Sequence, residues 1–210
     1  MGHLVLLGDS IFDNCVYVAP GPDVSDQLRG RLGSGWTVTL LAVDGDVTSG
    51  VKTRQLERIP ADVTQLVVSV GGNDALRHAS ILNERASSVA EAVNRLADAR
   101  ASFAADYGQM VDAVLGLGLP TAVCTIYDAN YSPPQRRLVV AALALFNDAI
   151  SRAAFSRGLP LIDLRLICNE PADYANPIEP SVQGGGKIAA AITALVGAAG
   201  SRQLVSTVWR

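Results

Sequence analysis

Polar side chains of the kinds that carry enzyme chemistry follow the apolar runs of this sequence. A hydroxyl stands at Ser10, just after the first run, and an amide stands at Asn73, just after the third. Carboxyls stand at Asp44 and Asp46 after the second run, and a Tyr-Asp pair occupies residues 127–128 after the fourth. The carboxyl ends of parallel strands meet at one edge of a sheet, and ligands bind there. Small and polar residues that converge on this edge predict an active site.

The apolar runs are the elements that must position these side chains. Runs rich in Val, Leu and Ile are predicted strands, at residues 3–8, 37–43, 65–70, 121–127 and 160–164. They are continuously apolar, as expected for parallel strands that are covered on both faces. Helical patterns alternate with them, at residues 24–32, 84–117 with one break near 99–102, 135–157 and 183–196. The alternation predicts an α/β fold of three α/β/α layers around a doubly wound, five-stranded parallel sheet.

Length and composition fit one folded domain. The chain has 210 residues, of which 49% are hydrophobic and 18% are charged, and we expect a domain over residues 1–197 followed by a tail over 198–210. The net charge of −3 and the lack of a Lys/Arg cluster argue against a nucleic-acid partner. The 3 cysteines lack metal-ligand spacing and indicate reduced thiols. No apolar stretch approaches the ~20 residues of a membrane span, so we expect a cytoplasmic protein.

Four short blocks resemble those of the GDSL/SGNH hydrolase superfamily, over residues 4 to about 195. Residues 8–11, Gly-Asp-Ser-Ile, are similar to its nucleophile block, and residues 71–74, Gly-Gly-Asn-Asp, to its asparagine block. Gly45 matches the glycine of its oxyanion hole. The closing block of the family reads Asp-x-x-His-Pro, whereas residues 176–180 read Asn-Pro-Ile-Glu-Pro. The resemblance implies the flavodoxin-like SGNH hydrolase fold and a lipase-like or esterase activity that needs no cofactor.

The resemblance also implies roles for individual residues. Ser10 would be the nucleophile, which must stand on an exposed turn within reach of a base. The oxyanion of the tetrahedral intermediate would be held by the Ser10 and Gly45 N–H groups and by Asn73 Nδ2. Removal of one such donor typically costs ~100–1000-fold in rate. A helix cap is the alternative role for Ser10, and the other blocks favour the nucleophile.

The sequence departs from the family at the base. Glu179 occupies the position of the catalytic histidine, and Asn176 occupies that of its supporting aspartate. A free glutamate has a pKa of ~4.3 against ~6.5 for histidine, but burial can raise a carboxyl pKa to ~6–7. An aspartate would repel a carboxylate base, whereas Asn176 could donate a hydrogen bond to it. Of the 2 histidines, His3 lies at the opposite end of the sheet and His78 follows the asparagine block.

Three interpretations of this departure remain open. In the first, Glu179 is the base of a Ser10–Glu179 dyad in an ester hydrolase. In the second, the protein has lost its base and binds a small molecule without turning it over. In the third, His78 or the substrate itself completes the machinery. An acyltransferase, which passes the acyl group to an alcohol instead of water, is a further alternative.

Other residues at the same edge are candidates for substrate contact. These residues are Asp9, Asp46, Asp74, Asn176 and Tyr127. Several aspartates together also suggest Mg²⁺, but aspartate is common in turns after strands, where it accepts hydrogen bonds from local N–H groups. We therefore expect no metal and no cofactor, and a small-molecule ester as the binding partner.

Overall fold

The computed structural model describes residues 1–198, and all but the first residue of the predicted tail lies outside this range. Five parallel strands form the central sheet in the order β2-β1-β3-β4-β5. They are β1 (Gly2–Gly8), β2 (Trp36–Leu40), β3 (Gln65–Ser69), β4 (Thr121–Cys124) and β5 (Leu161–Ile162). β3 lies at the centre, and β1 lies between β2 and β3, with Leu4 opposite Val38 of β2 on one side and Gln65 of β3 on the other. The predicted five-stranded parallel sheet is confirmed.

Helices cover both faces of this sheet and form the three layers. The main helices are α2 (Val24–Leu32), α5 (Val89–Leu115), α6 (Gln135–Ser156) and α8 (Val182–Ala198). The short helices are α1 (Cys15–Val18), α3 (Thr48–Gly50), α4 (Gly72–Arg77) and α7 (Leu164–Ile167). α3 continues into a π-helical turn over Val51–Gln55 and a 3-10 turn over Leu56–Arg58. Further 3-10 turns lie at Ala79–Asn83 and Pro171–Asp173, and the strands β6 (Tyr174–Asn176) and β7 (Glu179–Pro180) form a small antiparallel hairpin.

The core has two halves, one on each face of the sheet. On one face α2 and α8 pack against the sheet, and Leu28 and Ile188 are fully buried there. On the other face α5 and α6 pack against the sheet, and Met110 and Ile150 are fully buried there. This burial on both faces explains why the strands read as continuous apolar runs.

The helix α5 is the clearest difference from the sequence-based expectation. It begins at Val89, where the Ser88 side chain accepts a hydrogen bond from the backbone N–H of Glu91, and continues unbroken to Leu115. The predicted break near residues 99–102 is wrong. Ala99 and Phe103 are both buried on the inner face of this helix. A continuous helix keeps both side chains in the core, so packing stabilises it without a break.

The helix α6 is, among the described helices, the one long and apolar enough by length and composition to cross a membrane. Of its most apolar 18-residue stretch, 33% is buried inside the structure. Its inner face carries Phe146 and Ile150 into the core. Core helices of soluble proteins pass the same test, so this property by itself is a weak indication of a membrane span.

Close approach of β1 and β3 fixes the start of the loop after β1. Gly8 has a φ of +133°, and a Cβ added there would lie 1.7 Å from the carbonyl oxygen of Ser69. Only glycine fits this contact, because the backbone conformation disfavours L side chains and leaves no space for a Cβ. The chain therefore leaves the sheet at Gly8 and presents the next residues at its carboxyl edge.

Candidate active site

The turn after β1 holds Ser10 at the carboxyl edge of the sheet. Asp9 N–H donates to the Ser69 carbonyl at 3.1 Å, and the Asp9 side chain accepts from Ile11 N–H at 3.2 Å. Ser10 is buried, and its Oγ donates a hydrogen bond to Glu179 Oε1 at 3.1 Å. Within residues 1–198 the Ser10 N–H has no intramolecular partner. The serine thus has a carboxylate at its hydroxyl and a free donor on its backbone.

Glu179 reaches Ser10 from the β6–β7 hairpin. Its side chain is buried, and Oε2 has no hydrogen-bond partner among the described residues. Burial raises the pKa of Glu179 to about 7, with a smaller contribution from the negative charge of Asp44, while the hydrogen bond from Ser10 lowers it. The carboxyl therefore changes its charge in the pH range where a histidine base normally does.

Side chains from distant segments fix the hairpin that carries Glu179. Tyr127 Oη donates to the Ile178 carbonyl at 2.6 Å, and Asn14 Nδ2 donates to the Pro180 carbonyl at 3.2 Å. The two carbonyls belong to the residues immediately before and after Glu179. The two bonds hold its backbone against the loops that follow β4 and β1.

Asn176 does not have the role expected from its sequence position. Its Oδ1 accepts a hydrogen bond from Ile178 N–H at 2.9 Å, which closes a local turn. Asn176 and Glu179 are paired in the β6–β7 hairpin, but in the described part of the chain no side-chain hydrogen bond joins them, and Glu179 Oε2 stays unpartnered. The expected Asn176–Glu179 hydrogen bond is therefore absent, because the asparagine side chain turns back on its own backbone.

Two further donors lie near the nucleophile on neighbouring loops. Gly45 has a φ of +78°, a Cβ added there would meet nothing within 4 Å, and its N–H has no intramolecular partner within residues 1–198. Asn73 Nδ2 donates to the Asp46 carbonyl at 2.9 Å. An amide nitrogen carries two hydrogens, so this bond orients Asn73 and leaves its second hydrogen for a ligand. The loops after β2 and β3 thus each keep one donor available to a ligand, the Gly45 N–H and an Asn73 amide hydrogen.

Gln55 is a structural residue of the site that the sequence did not reveal. From the π-helical turn, its Oε1 accepts from Gly8 N–H and its Nε2 donates to the Gly8 carbonyl, each at 2.8 Å. Nε2 also donates to Asp46 Oδ2 at 2.8 Å. One buried side chain thus joins the end of β1 to the Gly45 loop. Its segment reads as an ordinary polar helix, and no sequence signal marked it.

The aspartates near the site differ in function. The Asp46 carboxylate accepts from Val47 N–H, Gln55 and Arg54, and Asp74 Oδ2 accepts from the N–H and hydroxyl of Thr48, each at 3.0 Å. These two carboxylates hold loops together. Burial raises the pKa of Asp74, and it also raises that of Asp9, to about 8, with repulsion from Glu179 adding to the Asp9 shift. Asp9 is therefore mostly neutral at pH 7.

The two histidines are placed differently relative to the serine, because His78 lines the same cavity as Ser10 and His3 does not. His3 is in β1 at the other end of the sheet, where its ring bonds to Asp62 and Thr39. His78 follows α4 and is partly buried, with its ring centroid 6.1 Å from that of Phe146. Within residues 1–198 the hydrogen bond of the Ser10 hydroxyl goes to Glu179, and none joins it to His78.

A cavity of about 560 Å³ opens beside Ser10. Its walls include Ser10, Asn73 and Glu179, together with two predicted contact residues, Asp9 and Tyr127. The other predicted site residues lie outside its lining, and they are Gly45, Asp46, Asp74 and Asn176. In the described part of the chain, no group of three or more His, Cys, Asp or Glu side chains could hold a metal ion.

A parallel α/β sheet with this site at its carboxyl edge defines an SGNH-type hydrolase fold. The chain belongs to the GDSL-like lipase/acylhydrolase family, whose family model matches residues 6–184. The family assignment expected from the four sequence blocks is therefore confirmed, and with it the hydrolase class.

Solved structures with the same fold include lipases and an acetylesterase. An extracellular lipase from Streptomyces rimosus is 18% identical, with a TM-score of 0.65 over 92% of this chain and 99% of that one. A carbohydrate acetylesterase from Sinorhizobium meliloti is 14% identical, with a TM-score of 0.65 over 95% and 100%. A lipase from a goat rumen metagenome is 14% identical, with a TM-score of 0.71 over 92% and 97%. At these identities the likeness establishes the fold. No curated protein sequence matches significantly.

Proposed function

We propose that the protein is a carboxylic ester hydrolase that works through a Ser10–Glu179 dyad. One observation carries the proposal: the Ser10 hydroxyl donates to Glu179 Oε1 at 3.1 Å, inside the cavity. This distance is within the range for proton transfer to a general base. Membership in the acylhydrolase family supports the same chemistry.

In the acylation step, Ser10 Oγ attacks the carbonyl carbon of the ester while Glu179 Oε1 takes the hydroxyl proton. The negative charge that forms on the carbonyl oxygen is held by the N–H groups of Ser10 and Gly45 and by Asn73 Nδ2. The intermediate collapses when Glu179 returns the proton to the departing alcohol oxygen. An acyl group then remains on Ser10.

A carboxylate base makes the third residue of the usual triad unnecessary. Histidine becomes a cation when it takes the proton, and an aspartate stabilises that cation. Glu179 instead becomes neutral, so it needs no counter-charge, which agrees with the lack of a hydrogen-bond partner on Oε2. Its pKa of about 7 lets it hold and release a proton near neutral pH.

In the deacylation step, Glu179 takes a proton from water, and the resulting hydroxide attacks the acyl carbon. The oxyanion forms at the same donors, and Ser10 leaves as an alkoxide that recovers its proton from Glu179. Oε2 is the free acceptor beside the acylated serine, so it can orient the attacking water before the proton transfer.

Hydrolysis of short p-nitrophenyl esters between pH 4 and 10 tests this function. The variants are Ser10→Ala, Glu179→Gln and His78→Ala, with Glu57→Gln as a matched control on an exposed glutamate. We expect Ser10→Ala and Glu179→Gln to lower kcat at least ~100-fold, the lower range for loss of a general base. The other two variants should keep wild-type rates.

Each other outcome identifies an alternative. Full turnover by Glu179→Gln would show that the proposed base is wrong, and loss of activity in His78→Ala would assign that role to the histidine. Failure of every ester, together with no labelling of Ser10 by a fluorophosphonate, would favour a protein that binds without catalysis. Faster transfer to an added alcohol than to water would indicate an acyltransferase.

We also propose that the protein works in the cytoplasm. The three cysteines are free thiols, of which Cys15 is exposed and Cys124 and Cys168 are buried. Free thiols are typical of a reducing compartment. Cell fractionation with the native sequence tests this location, and recovery of the protein in the medium would contradict it.

A further inference from the structure

Beyond Ser10 the cavity wall is mainly apolar, although His78, Asn83, Tyr131 and Gln135 also belong to it. Its apolar side chains come from four different elements. They include Leu76 from α4, Ile81 and Leu82 from the 3-10 turn over Ala79–Asn83, Leu96 from α5, and Leu138 and Phe146 from α6. Elements that are distant in sequence thus contribute aliphatic and aromatic side chains to one continuous space. Such a lining binds a ligand mainly by removing its apolar surface from water.

Two large apolar side chains remain exposed at this cavity. Leu76 is 46% exposed and Leu138 is 50% exposed, and both belong to its lining. An apolar ligand that enters between α4 and α6 would cover both. The apolar lining of the cavity therefore extends to the protein surface.

Charge in the cavity is confined to the reacting end. Among its lining residues the acidic groups are Asp9 and Glu179, next to Ser10, and the lining holds no lysine or arginine. A carboxylate, phosphate or sulfate on the bound group would thus find no lysine or arginine to pair with, and the one basic side chain in the lining is the imidazole of His78. The lining excludes charged substituents and favours an uncharged chain.

The polar loop after β2 does not line the cavity and is open to solvent. Gly45 and Asp44 are exposed there, and Tyr17 Oη donates to Asp44 Oδ2 at 2.7 Å. The alcohol can leave and water can enter from this side while the cavity stays filled. The two sides of the serine therefore suit the two halves of an ester differently.

We infer that the cavity is an acyl pocket and that the natural substrates carry a linear, uncharged acyl chain on the order of ten carbons. The chain lies between α4, α5 and α6, and a small or polar alcohol lies on the Asp44 side. This inference rests on the proposed ester hydrolysis at Ser10. It selects long acyl chains over the acetyl group.

Two series of esters test the pocket, both used below their micelle-forming concentrations. In the first, p-nitrophenol is constant and the acyl chain runs from acetyl to dodecanoyl. In the second, acetate is constant and the alcohol chain is lengthened. Each buried methylene contributes about three- to fourfold, so kcat/KM should rise at least about a hundredfold from acetate to octanoate. The alcohol series should stay nearly flat.

Matched variants locate the chain on α6. Ala142 lines the cavity and is partly buried, whereas its neighbour Ala141 is exposed and lies outside the lining. Ala142→Phe should lower the ratio of decanoate to acetate kcat/KM at least about tenfold, and Ala141→Phe should keep the wild-type ratio. Leu138→Ser should lower the same ratio about threefold or more, against Leu166→Ser as an exposed control outside the cavity. Thermal melts of all four check the fold.

The outcomes separate the pocket from the chemistry. Hydrolysis of acetate that depends on Ser10, with a flat or falling acyl profile, would overturn the pocket and leave the hydrolase in place. A preference for long alcohols would place the chain on the wrong half of the ester and also overturn the inference. No turnover at any chain length would remove the proposed function and this inference with it.

Discussion

Replacing Glu179 with glutamine should change how stability depends on pH. In the folded protein the pKa of Glu179 is about 7, whereas its ordinary value is 4.5. Between these values the folded state keeps a proton that the unfolded state has lost. Stability from this group is therefore fully present below pH 4.5 and is lost as pH rises to about 7. Glutamine does not titrate, so Glu179→Gln should lack this loss.

The size of the effect follows from the shift. The difference between about 7 and 4.5 is roughly 2.5 pH units, and each unit corresponds to about 1.4 kcal/mol, which gives about 3 kcal/mol above pH 7. For a domain of this size that equals roughly 6–12 °C in Tm. The glutamine amide has no partner at the position of Oε2, which costs about 1–3 kcal/mol, but this cost is the same at every pH.

Urea unfolding at pH 4.5 and pH 8.5 measures this difference. The free energy of unfolding of Glu179→Gln minus that of wild type should increase by about 3 kcal/mol between the two pH values. Asp9 also titrates in this range, with a pKa of about 8 that the charge of Glu179 helps to raise. In Glu179→Gln that pKa should be lower, so the change at Asp9 has the same sign and adds to the increase. Glu57→Gln, on an exposed glutamate, should show no such increase.

A free-energy difference that is the same at both pH values would refute the reasoning. It would mean that the carboxyl of Glu179 keeps its ordinary pKa in the folded protein. The wild-type enzyme provides a second check, because only the carboxylate accepts the Ser10 proton. Its kcat/KM should rise with pH through about 7 and then level off.

Three other variants examine the supports of the site. Asn73→Ala should lower kcat about 100–1000-fold with an unchanged circular dichroism spectrum, and an unchanged kcat would remove this residue from the oxyanion site. Gln55→Leu leaves the Gly8 N–H and one oxygen of Asp46 without a partner, while the Gly8 carbonyl keeps only its bond from Val43 N–H. It should lower the free energy of unfolding in urea by about 2–4 kcal/mol, and a loss below about 1 kcal/mol would contradict this. Tyr127→Phe should cost about 1–2 kcal/mol by leaving a carbonyl of the Glu179 hairpin without its donor, and stability equal to wild type would show that the bond contributes nothing.

Local signals explain the parts of the fold that were predicted well. The helix over Val24–Leu32 has the predicted bounds because Asp23 caps its start and Gly33 ends it. Residues 121–127 were predicted as one strand, but the ladder of β4 ends at Cys124 although the chain stays buried to Tyr127. Apolar patterns report burial, and burial continues after a strand has ended. The bounds of such elements therefore depend on neighbouring chains.

The sequence alone determined the α/β scaffold and the edge where the site lies. A parallel sheet with helices on both faces follows from alternating apolar and helical patterns, and the side chains that follow each strand must meet at one edge. The blocks around Ser10 and Asn73 therefore predicted the family correctly. The absence of a histidine from the closing block was also visible in the sequence.

Only the tertiary structure decided what surrounds the glutamate. Ser10 and Glu179 are 169 positions apart in sequence, yet their oxygens lie 3.1 Å from each other. That distance depends on a hairpin held by Tyr127 and Asn14, and the pKa of the carboxyl depends on the groups that shield it from water. Hydrogen bonding and desolvation both change over fractions of an ångström between distant segments. Residue types and spacing alone do not determine atomic positions at that scale.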